Sequence, residues 1–129
     1  MKVYYAHSMH LYNTKQEARD IELLEKLGFE VVNPNSQVHI DRCKELKEEI
    51  AKPELASSMI MEYFKEVVAG CDAVAFRSHP DSRIPAGAGK EVRQALELQK
   101  PVIELPNIID SRFMDVNETR QYLELLGQR

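Results

Sequence analysis

Residues 70–103 read GCDAVAFRSHPDSRIPAGAGKEVRQALELQKPVI, and they contain the clearest strand–helix–strand pattern of the chain. Ala73 to Phe76 is a short apolar run typical of a buried strand, and the polar segment from Arg77 to Pro85 predicts a loop. Gly87 to Gln99 predicts a helix with one apolar face, and Val102 to Leu105 predicts the next strand. This order predicts two parallel strands joined by a crossover helix.

The N-terminal part of the chain repeats the same order. Val3 to Ala6 and Phe29 to Val32 are apolar runs typical of strands. The pattern Thr14-x-x-Glu17 predicts the start of the helix between them, and Gly28 occupies the position of a left-handed C-cap residue. The apolar residues expected on the buried face of this helix are Ala18, Ile21, Leu23, Leu24 and Leu27.

The remaining segments predict helices. A charged helix with a narrow apolar stripe runs from Ile40 to Ile50, and a second helix beyond Pro53 ends near Gly70. A last amphipathic helix follows the possible cap Asp115-x-x-Glu118. Strands and helices alternate without a linker or repeat. We therefore expect one domain, residues 1–129, with an α/β fold: a three-layer sandwich around a four- or five-stranded parallel sheet in flavodoxin- or Rossmann-like order.

Charge and composition exclude several classes of function. The net charge of -4 and the pI near 5.6 argue against binding a nucleic acid polymer or a membrane surface. No stretch approaches the roughly 20 apolar residues that span a bilayer. The first ten residues, MKVYYAHSMH, lack the apolar core of a signal peptide, so we expect a cytoplasmic protein. His7 and His10 have no third ligand within reach along the sequence, and no metal site is predicted.

Parallel sheets bind ligands beyond the carboxyl ends of their strands, and the segment after Phe76 is the most informative. Gly87 and Gly89 allow close backbone approach, and free N–H groups at a helix start suit a phosphate. In the first helical turn, the dipole would keep Glu91 ionised, as attack on a sugar carbon requires, although a glutamate there often serves only helix stability. The spacing matches neither a dinucleotide fingerprint nor a P-loop, so no cofactor is predicted.

Other polar residues leave alternatives open. Tyr4 lies inside a strand, where packing in the core with a satisfied hydroxyl is the ordinary role. His7 is a loop residue that could lie near a ligand, and Asp81 could touch substrate or face water. Asp72 precedes its strand and is expected to be structural. The run Lys44 to Lys52 is expected to be a solvated helix face.

Three segments resemble the nucleoside 2-deoxyribosyltransferase superfamily, including its 2'-deoxynucleoside 5'-monophosphate N-glycosidase branch. They are Val3-Tyr4-Tyr5-Ala6-His7-Ser8, Leu27-Gly28-Phe29-Glu30-Val31-Val32, and the opening 70–103 stretch. In the last of these, Cys71-Asp72-Ala73-Val74, the Gly87-x-x-x-Glu91 helix start and Lys100-Pro101-Val102-Ile103 are similar to the family motifs. The longer PGGxGTxxE signature of phosphoribohydrolase-like proteins is absent.

The resemblance implies a role for each matching residue. Glu91 matches the nucleophile that attacks C1' of the deoxyribosyl group, and Tyr4 matches the residue that hydrogen-bonds and orients it. Ser8, Gly87 and Gly89 match positions around the sugar or the 5'-phosphate. The chemistry implied is that of a retaining glycosidase.

The sequence also departs from the family. Arg77, Ser78 and His79 stand where an acidic residue is common, and Pro85 stands where Asp or Ser is common. Lys90 or Arg77 would help to hold an anionic substrate and so favour a nucleotide. A neighbouring subunit supplies a residue after the fourth strand in the family, and either Asp115 or Asn117 falls in that region here.

The sequence therefore predicts an enzyme that cleaves or transfers the N-glycosidic bond of a 2'-deoxynucleoside or its 5'-monophosphate. It needs no cofactor and acts as a homodimer or larger assembly. The alternative is a non-catalytic module that binds a nucleotide on the same fold.

Overall fold

A computed structural model describes residues 1–129. Its elements in chain order are β1 (Lys2–Ala6), α1 (Lys15–Lys26), β2 (Glu30–Val32), α2 (Gln37–Glu49), α3 (Pro53–Ala69), β3 (Ala73–Phe76), α4 (Ala86–Glu97), β4 (Val102–Glu104) and α5 (Val116–Leu125). Two short 3-10 helices span Met9–Leu11 and Asp110–Arg112. The predicted strands and helices are all present.

The four strands form one parallel sheet in the order β2-β1-β3-β4, which confirms the predicted flavodoxin-like α/β fold. Tyr4 of β1 lies opposite Val32 of β2 and Val74 of β3. The chain runs from β1 to β2 on one side and then crosses to β3 on the other. The strand order therefore reverses between β1 and β3, and their carboxyl ends open the crevice in which ligands of such sheets bind.

Alternate residues of the strands face two different layers. Tyr4 and Ala6 pack with Val68 of α3 and Val92 of α4 on one face. The opposite face, which includes Val3 and Tyr5, packs against Leu24 of α1. This period of two produces the predicted three-layer arrangement. No helix of the structure combines the length and the apolar character needed to cross a bilayer.

Local signals position the helix ends as predicted. Thr14 Oγ1 accepts a hydrogen bond from the Glu17 amide at 3.3 Å, and Asp115 Oδ1 accepts one from the Glu118 amide at 2.8 Å. Gly28 follows α1 with φ of 91°, the left-handed conformation that glycine adopts without strain. Asp72 accepts a hydrogen bond from the Lys2 amide at 2.7 Å, and so has a structural contact at the amino end of the sheet.

The buried face predicted for α1 is partly wrong. Ala18 is exposed and Leu27 is 62% exposed, whereas Glu17 and Asp20 are buried beside Leu24. The two carboxylates can be buried because each has hydrogen-bonding partners from β1, its following loop or the loop after β3. Polar character alone therefore does not identify the outer face of this helix.

The prediction that Glu91 lies in the first turn of α4 is wrong. The helix begins at Ala86, so Glu91 is its sixth residue and lies beyond the first turn. The dipole is strongest in that first turn, and it is not the main influence on this carboxyl group.

The C-terminal helix α5 has only sparse contacts with the rest of the chain. Every residue from 111 to 129 is exposed except Leu123, which is half-buried. The apolar stripe predicted for α5 is present in the sequence, but no part of this chain covers it.

Candidate active site

A cavity of about 360 Å³ opens at the carboxyl ends of β1 and β3, where the strand order reverses. It is bounded by β1 and its following loop, by α3, and by the start of α4. Its lining residues are Tyr4, His7, Ser8, Met9, Tyr12, Pro34, Ile60, Met61, Phe64, Pro85, Ala86, Gly87, Ala88 and Glu91. The sheet and α4 thus bring together five of the predicted site residues: Tyr4, His7, Ser8, Gly87 and Glu91.

Glu91 is the one carboxyl group that lines this cavity. Its side chain is buried, with 6% of the residue exposed, and Oε2 has no hydrogen-bond partner. Burial raises the pKa of Glu91 to about 7, while the nearby Tyr4 phenol acts to lower it. Close to half of the molecules would therefore carry an ionised Glu91 at neutral pH, in contrast to the fully ionised group expected from a first-turn position.

Tyr4 reaches the cavity from the centre of β1. The residue is fully buried, its ring packs 6.4 Å from that of Phe64, and its hydroxyl has no hydrogen-bond partner. Burial and the neighbouring Glu91 both raise the pKa of the phenol, so it stays protonated as a hydrogen-bond donor. The ordinary alternative, a core tyrosine with a satisfied hydroxyl, does not describe this residue.

Tyr4 and Glu91 therefore form a pair of buried polar groups that is incompletely satisfied. They influence each other's pKa, but neither Tyr4 Oη nor Glu91 Oε2 makes a hydrogen bond of ordinary geometry. Buried polar atoms without a partner are uncommon, and each one requires an explanation. Both residues line one cavity, which makes this pair the centre of the candidate site.

The first turn of α4 borders the same cavity with free backbone donors. Pro85 occupies the N-cap position, and the amides of Ala86, Gly87 and Ala88 have no acceptor in the chain. The amide of Gly89 donates to the Pro85 carbonyl at 2.8 Å and is therefore occupied. Gly87 lines the cavity, whereas Gly89 does not.

The protein has room for a side chain at both glycines. A Cβ atom added to Gly87 would approach only Met61 Cε, at 4.0 Å, and one added to Gly89 would approach Ile84 Cγ2 at 3.8 Å. Both distances are ordinary van der Waals contacts. Space at Gly87 is therefore available to a ligand that contacts the backbone.

His7 lines the cavity but is held by the protein on both sides of its ring. Nδ1 lies 3.0 Å from the Tyr5 carbonyl oxygen, and Nε2 lies 2.8 Å from Glu17 Oε2. The ring also stacks on that of Tyr5, with centroids 3.8 Å apart. Burial alone would raise the pKa of Glu17, but hydrogen bonds from His7, Asn35 and the Asn13 amide outweigh it and lower that pKa. His7 therefore shapes the wall and has no free nitrogen to offer a substrate.

Arg77 is similarly committed to the fold. Its Nε donates to Asp20 Oδ2 at 3.0 Å, a second nitrogen pairs with Asp20 Oδ1, and Nη1 donates to the Pro106 carbonyl. Asp20 also accepts a hydrogen bond from the Tyr5 hydroxyl at 2.6 Å. Arg77 also borders a smaller polar cavity next to the first one, but Asp20 already pairs with its guanidinium.

Sequence reasoning missed Glu17 and Asp20, which organise these contacts. Glu17 and Asp20 are three residues apart and lie on the same helix face as Ile21 and Leu24, and this spacing was the one sequence signal that they could be buried. That spacing could not by itself distinguish buried carboxylates from a solvated pair.

Besides Gly89 and Arg77, three more predicted substrate-binding residues lie outside the cavity. Lys90 is exposed and borders a groove of about 530 Å³ between α3 and α4. Asp81 is exposed in the loop after β3 and pairs with Arg83 at 3.3 Å. Asn117 is exposed in the first turn of α5. The single chain does not bring these three residues to the site.

A smaller polar cavity of about 220 Å³ adjoins the first and shares Ser8 and Pro85 with it. The rings of His10 and His79 stack there with centroids 5.7 Å apart, and Ser8 Oγ lies 2.6 Å from His10 Nδ1. No carboxylate lines this cavity. Its donors and its lack of negative charge suit an anionic group.

No protein-family model matches the chain, and no curated protein is significantly similar to it. The chain also contains no group of three or more histidine, cysteine, aspartate or glutamate side chains placed to hold a metal ion.

Proposed function

We propose that the protein cleaves or transfers the N-glycosidic bond of a 2'-deoxynucleoside or its 5'-monophosphate, with Glu91 as the nucleophile. The observation that carries this proposal is the Tyr4–Glu91 pair, two buried and unsatisfied groups in a cavity at the switch point of a parallel sheet. The resemblance of the same residues to the deoxyribosyltransferase motifs supports it.

The chemistry follows from a carboxylate beside C1' of the sugar. The ionised Glu91 oxygen forms a bond to C1' as the C1'–N bond breaks, and its electron pair leaves with the base, which takes up a proton. Water then attacks C1' as the bond between C1' and the Glu91 oxygen breaks, which restores the carboxylate and releases the sugar. The proton that this water loses balances the one taken up by the base. A nitrogen of a second base can replace that water and give an exchanged nucleoside. When substrate is bound, Tyr4 would position Glu91 by a hydrogen bond from its hydroxyl group to a carboxylate oxygen, a bond that the chain alone does not make.

The free amides at the start of α4 and the polar cavity next to Ser8 favour a substrate that carries a phosphate. Backbone N–H groups at a helix start attract an anion, and Gly87 leaves room for it to approach. The proposed substrate is therefore a nucleotide in preference to a free nucleoside.

We also propose that the working unit is a homodimer or a larger assembly. The exposed apolar residues of α5 and its preceding segment would pack on a second copy, and Asn117 would then reach the neighbour's site.

The direct test incubates the protein with each deoxynucleoside and its monophosphate, with and without an acceptor base, and separates the products chromatographically. We expect wild type and Glu97→Gln, a control at an exposed position of α4, to release or exchange the base. Glu91→Gln should lose at least about a hundredfold in rate. Absence of free or exchanged base from wild type would refute the enzyme. Saturable nucleotide binding without product would instead identify the non-catalytic module.

A further inference from the structure

A third cavity lies between α2 and α3, next to the candidate active site, and is not used by the proposed reaction. Its volume is about 610 Å³, within the range of roughly 300–1,000 Å³ of ordinary ligand pockets. Its lining residues are Met9, Tyr12, Pro34, Asn35, Ile40, Cys43, Lys44, Lys47, Ser57, Ile60 and Phe64. Five of these also line the active-site cavity: Met9, Tyr12, Pro34, Ile60 and Phe64. The two cavities are therefore neighbours with a common wall.

The wall of this third cavity is largely apolar. Ile40 is 40% exposed in the chain, although it lies on the side of α2 that faces α3. Ile60 and Phe64 of α3 face it across the cavity. Apolar side chains around a concave space favour a ligand with an apolar body, because its burial removes hydrocarbon surface from water.

Two cations border this apolar wall without an acidic partner. Lys44 and Lys47 form no salt bridge in the structure, and no carboxylate lines the cavity. The nearby charge pairs of α2 are made by Arg42 with Glu45 and Glu49 instead. Both lysines are exposed, as predicted for the solvated face of α2, and their charges are free beside an apolar cavity.

We infer that the cavity between α2 and α3 binds an amphiphilic anion: an apolar body against Ile40, Ile60 and Phe64, with a carboxylate or phosphate at Lys44 and Lys47. Such a group can be the far end of a substrate whose leaving group extends beyond a nucleobase, or it can be a separate small effector. The first source rests on the proposed function, whereas the binding site itself does not.

Cys43 provides a reporter within the cavity. It is half-buried and lines the wall, whereas Cys71, the other cysteine, is buried in the core. An uncharged maleimide should therefore label Cys43, and the Cys43→Ser variant should take up almost no label. Because Lys47 acts to lower the raised pKa of this thiol, the useful quantity is the ratio of labelling rates with and without ligand in each variant.

The experiment measures how decanoate, and decanol at the same concentration, slow the labelling of Cys43. We expect decanoate to protect the thiol at saturation by roughly fivefold or more and decanol to protect it much less at equal concentration. The double variant Lys44→Gln/Lys47→Gln should weaken decanoate binding by roughly three- to tenfold, as expected for two surface charge contacts. Lys52→Gln, an exposed lysine outside the cavity, should leave it unchanged.

Equal protection by decanol, no protection by either compound, or an unchanged decanoate affinity in the double variant would overturn the inference. A second arm compares dAMP with dAMP carrying a carboxypentyl group on N6. If the extended compound protects Cys43 and dAMP does not, the anionic group belongs to the substrate. If only decanoate protects, it belongs to a separate effector. Both arms read binding rather than turnover, so they remain decisive if Glu91 proves not to be a nucleophile.

Discussion

Burial of the Glu91 carboxyl group disfavours its ionised form, which is the form that the proposed nucleophilic attack requires. Its pKa of about 7 means that ionised enzyme declines about tenfold for each pH unit below 7. We expect kcat/KM for a deoxynucleotide to rise with pH to about 7 and then to level, in a profile measured from pH 5 to 9. An acid limb centred near 4.5 would show that the working carboxyl group is not this one.

The same raised pKa makes a prediction about stability that does not depend on function. A carboxyl group with a folded-state pKa above its unfolded value binds its proton more tightly when folded, so stability falls as pH rises from about 4.5 through 7. Glu91→Gln cannot ionise and escapes this loss. The stability of the variant relative to wild type should grow by up to about 3 kcal/mol between pH 4.5 and 8, measured by urea unfolding. Glu97→Gln, which changes an exposed carboxyl group, should show no such growth.

Tyr4 is expected to act through Glu91 and not on the substrate directly. Tyr4→Phe keeps the ring packed against Phe64 but removes the hydroxyl that acts to lower the pKa of Glu91. The acid limb of the rate profile should move to higher pH, so the loss of activity should be larger at pH 6 than at pH 9. A uniform loss at all pH values would assign the hydroxyl to substrate binding instead.

At the start of α4, substitutions at two glycines should have the same effect on stability but different effects on ligand binding. Gly87→Ala and Gly89→Ala both place alanine in a helix without a steric conflict, so each should stabilise the protein by about 0.5–1 kcal/mol in urea unfolding. Only the methyl group at position 87 enters the cavity. Gly87→Ala should therefore raise KM for a nucleotide while Gly89→Ala leaves it unchanged. Equal kinetics in the two variants would remove the start of α4 from the substrate site.

The elements were predictable because their signals are local. The apolar run of β1, the Thr14 cap and Gly28 each specify structure within a few residues, and the βαβ connections make the strands parallel. The buried face of α1 was not predictable in this way. Asp20 is buried because Arg77 and the Tyr5 hydroxyl pair with it, and no local pattern indicates these distant partners.

In the candidate site too, the positions that depend on topology were predictable and those that depend on side-chain packing were not. Ser8 follows β1, Tyr4 lies within that strand, and α4 carries Gly87 and Glu91 in its first two turns. Topology brings the carboxyl ends of the strands and the start of the following helix together at one edge of the sheet. The chemical roles of these residues came from the family resemblance and remain predictions. The engagement of His7 and the position of Lys90 outside the cavity depend on side-chain packing, which spacing does not encode.

At the scale of the whole molecule, α5 needs a partner that this chain does not provide. It has ten residues, and helices shorter than about 12–15 residues are marginal in water without tertiary packing. Its apolar residues and those just before it remain exposed, including Phe113 at 65%, Val116 at 66% and Leu126 at 51%. Association with a second copy would cover these apolar residues on both subunits, because a two-fold interface buries the same patch on each subunit.

We therefore expect a dimer in sedimentation equilibrium at micromolar concentration. Phe113→Asp/Leu126→Asp should give a monomer, because each carboxylate would be buried in the interface without a partner. Leu27→Asp, which alters an exposed apolar residue of α1, should remain dimeric. A monomeric wild type would contradict the assembly.

If the neighbour's Asn117 completes the site, equal mixing of inactive Glu91→Gln and Asn117→Ala subunits should restore about one quarter of wild-type activity, since half of the dimers would then contain one intact site. No recovery from a mixture shown to exchange subunits would confine the site to a single chain.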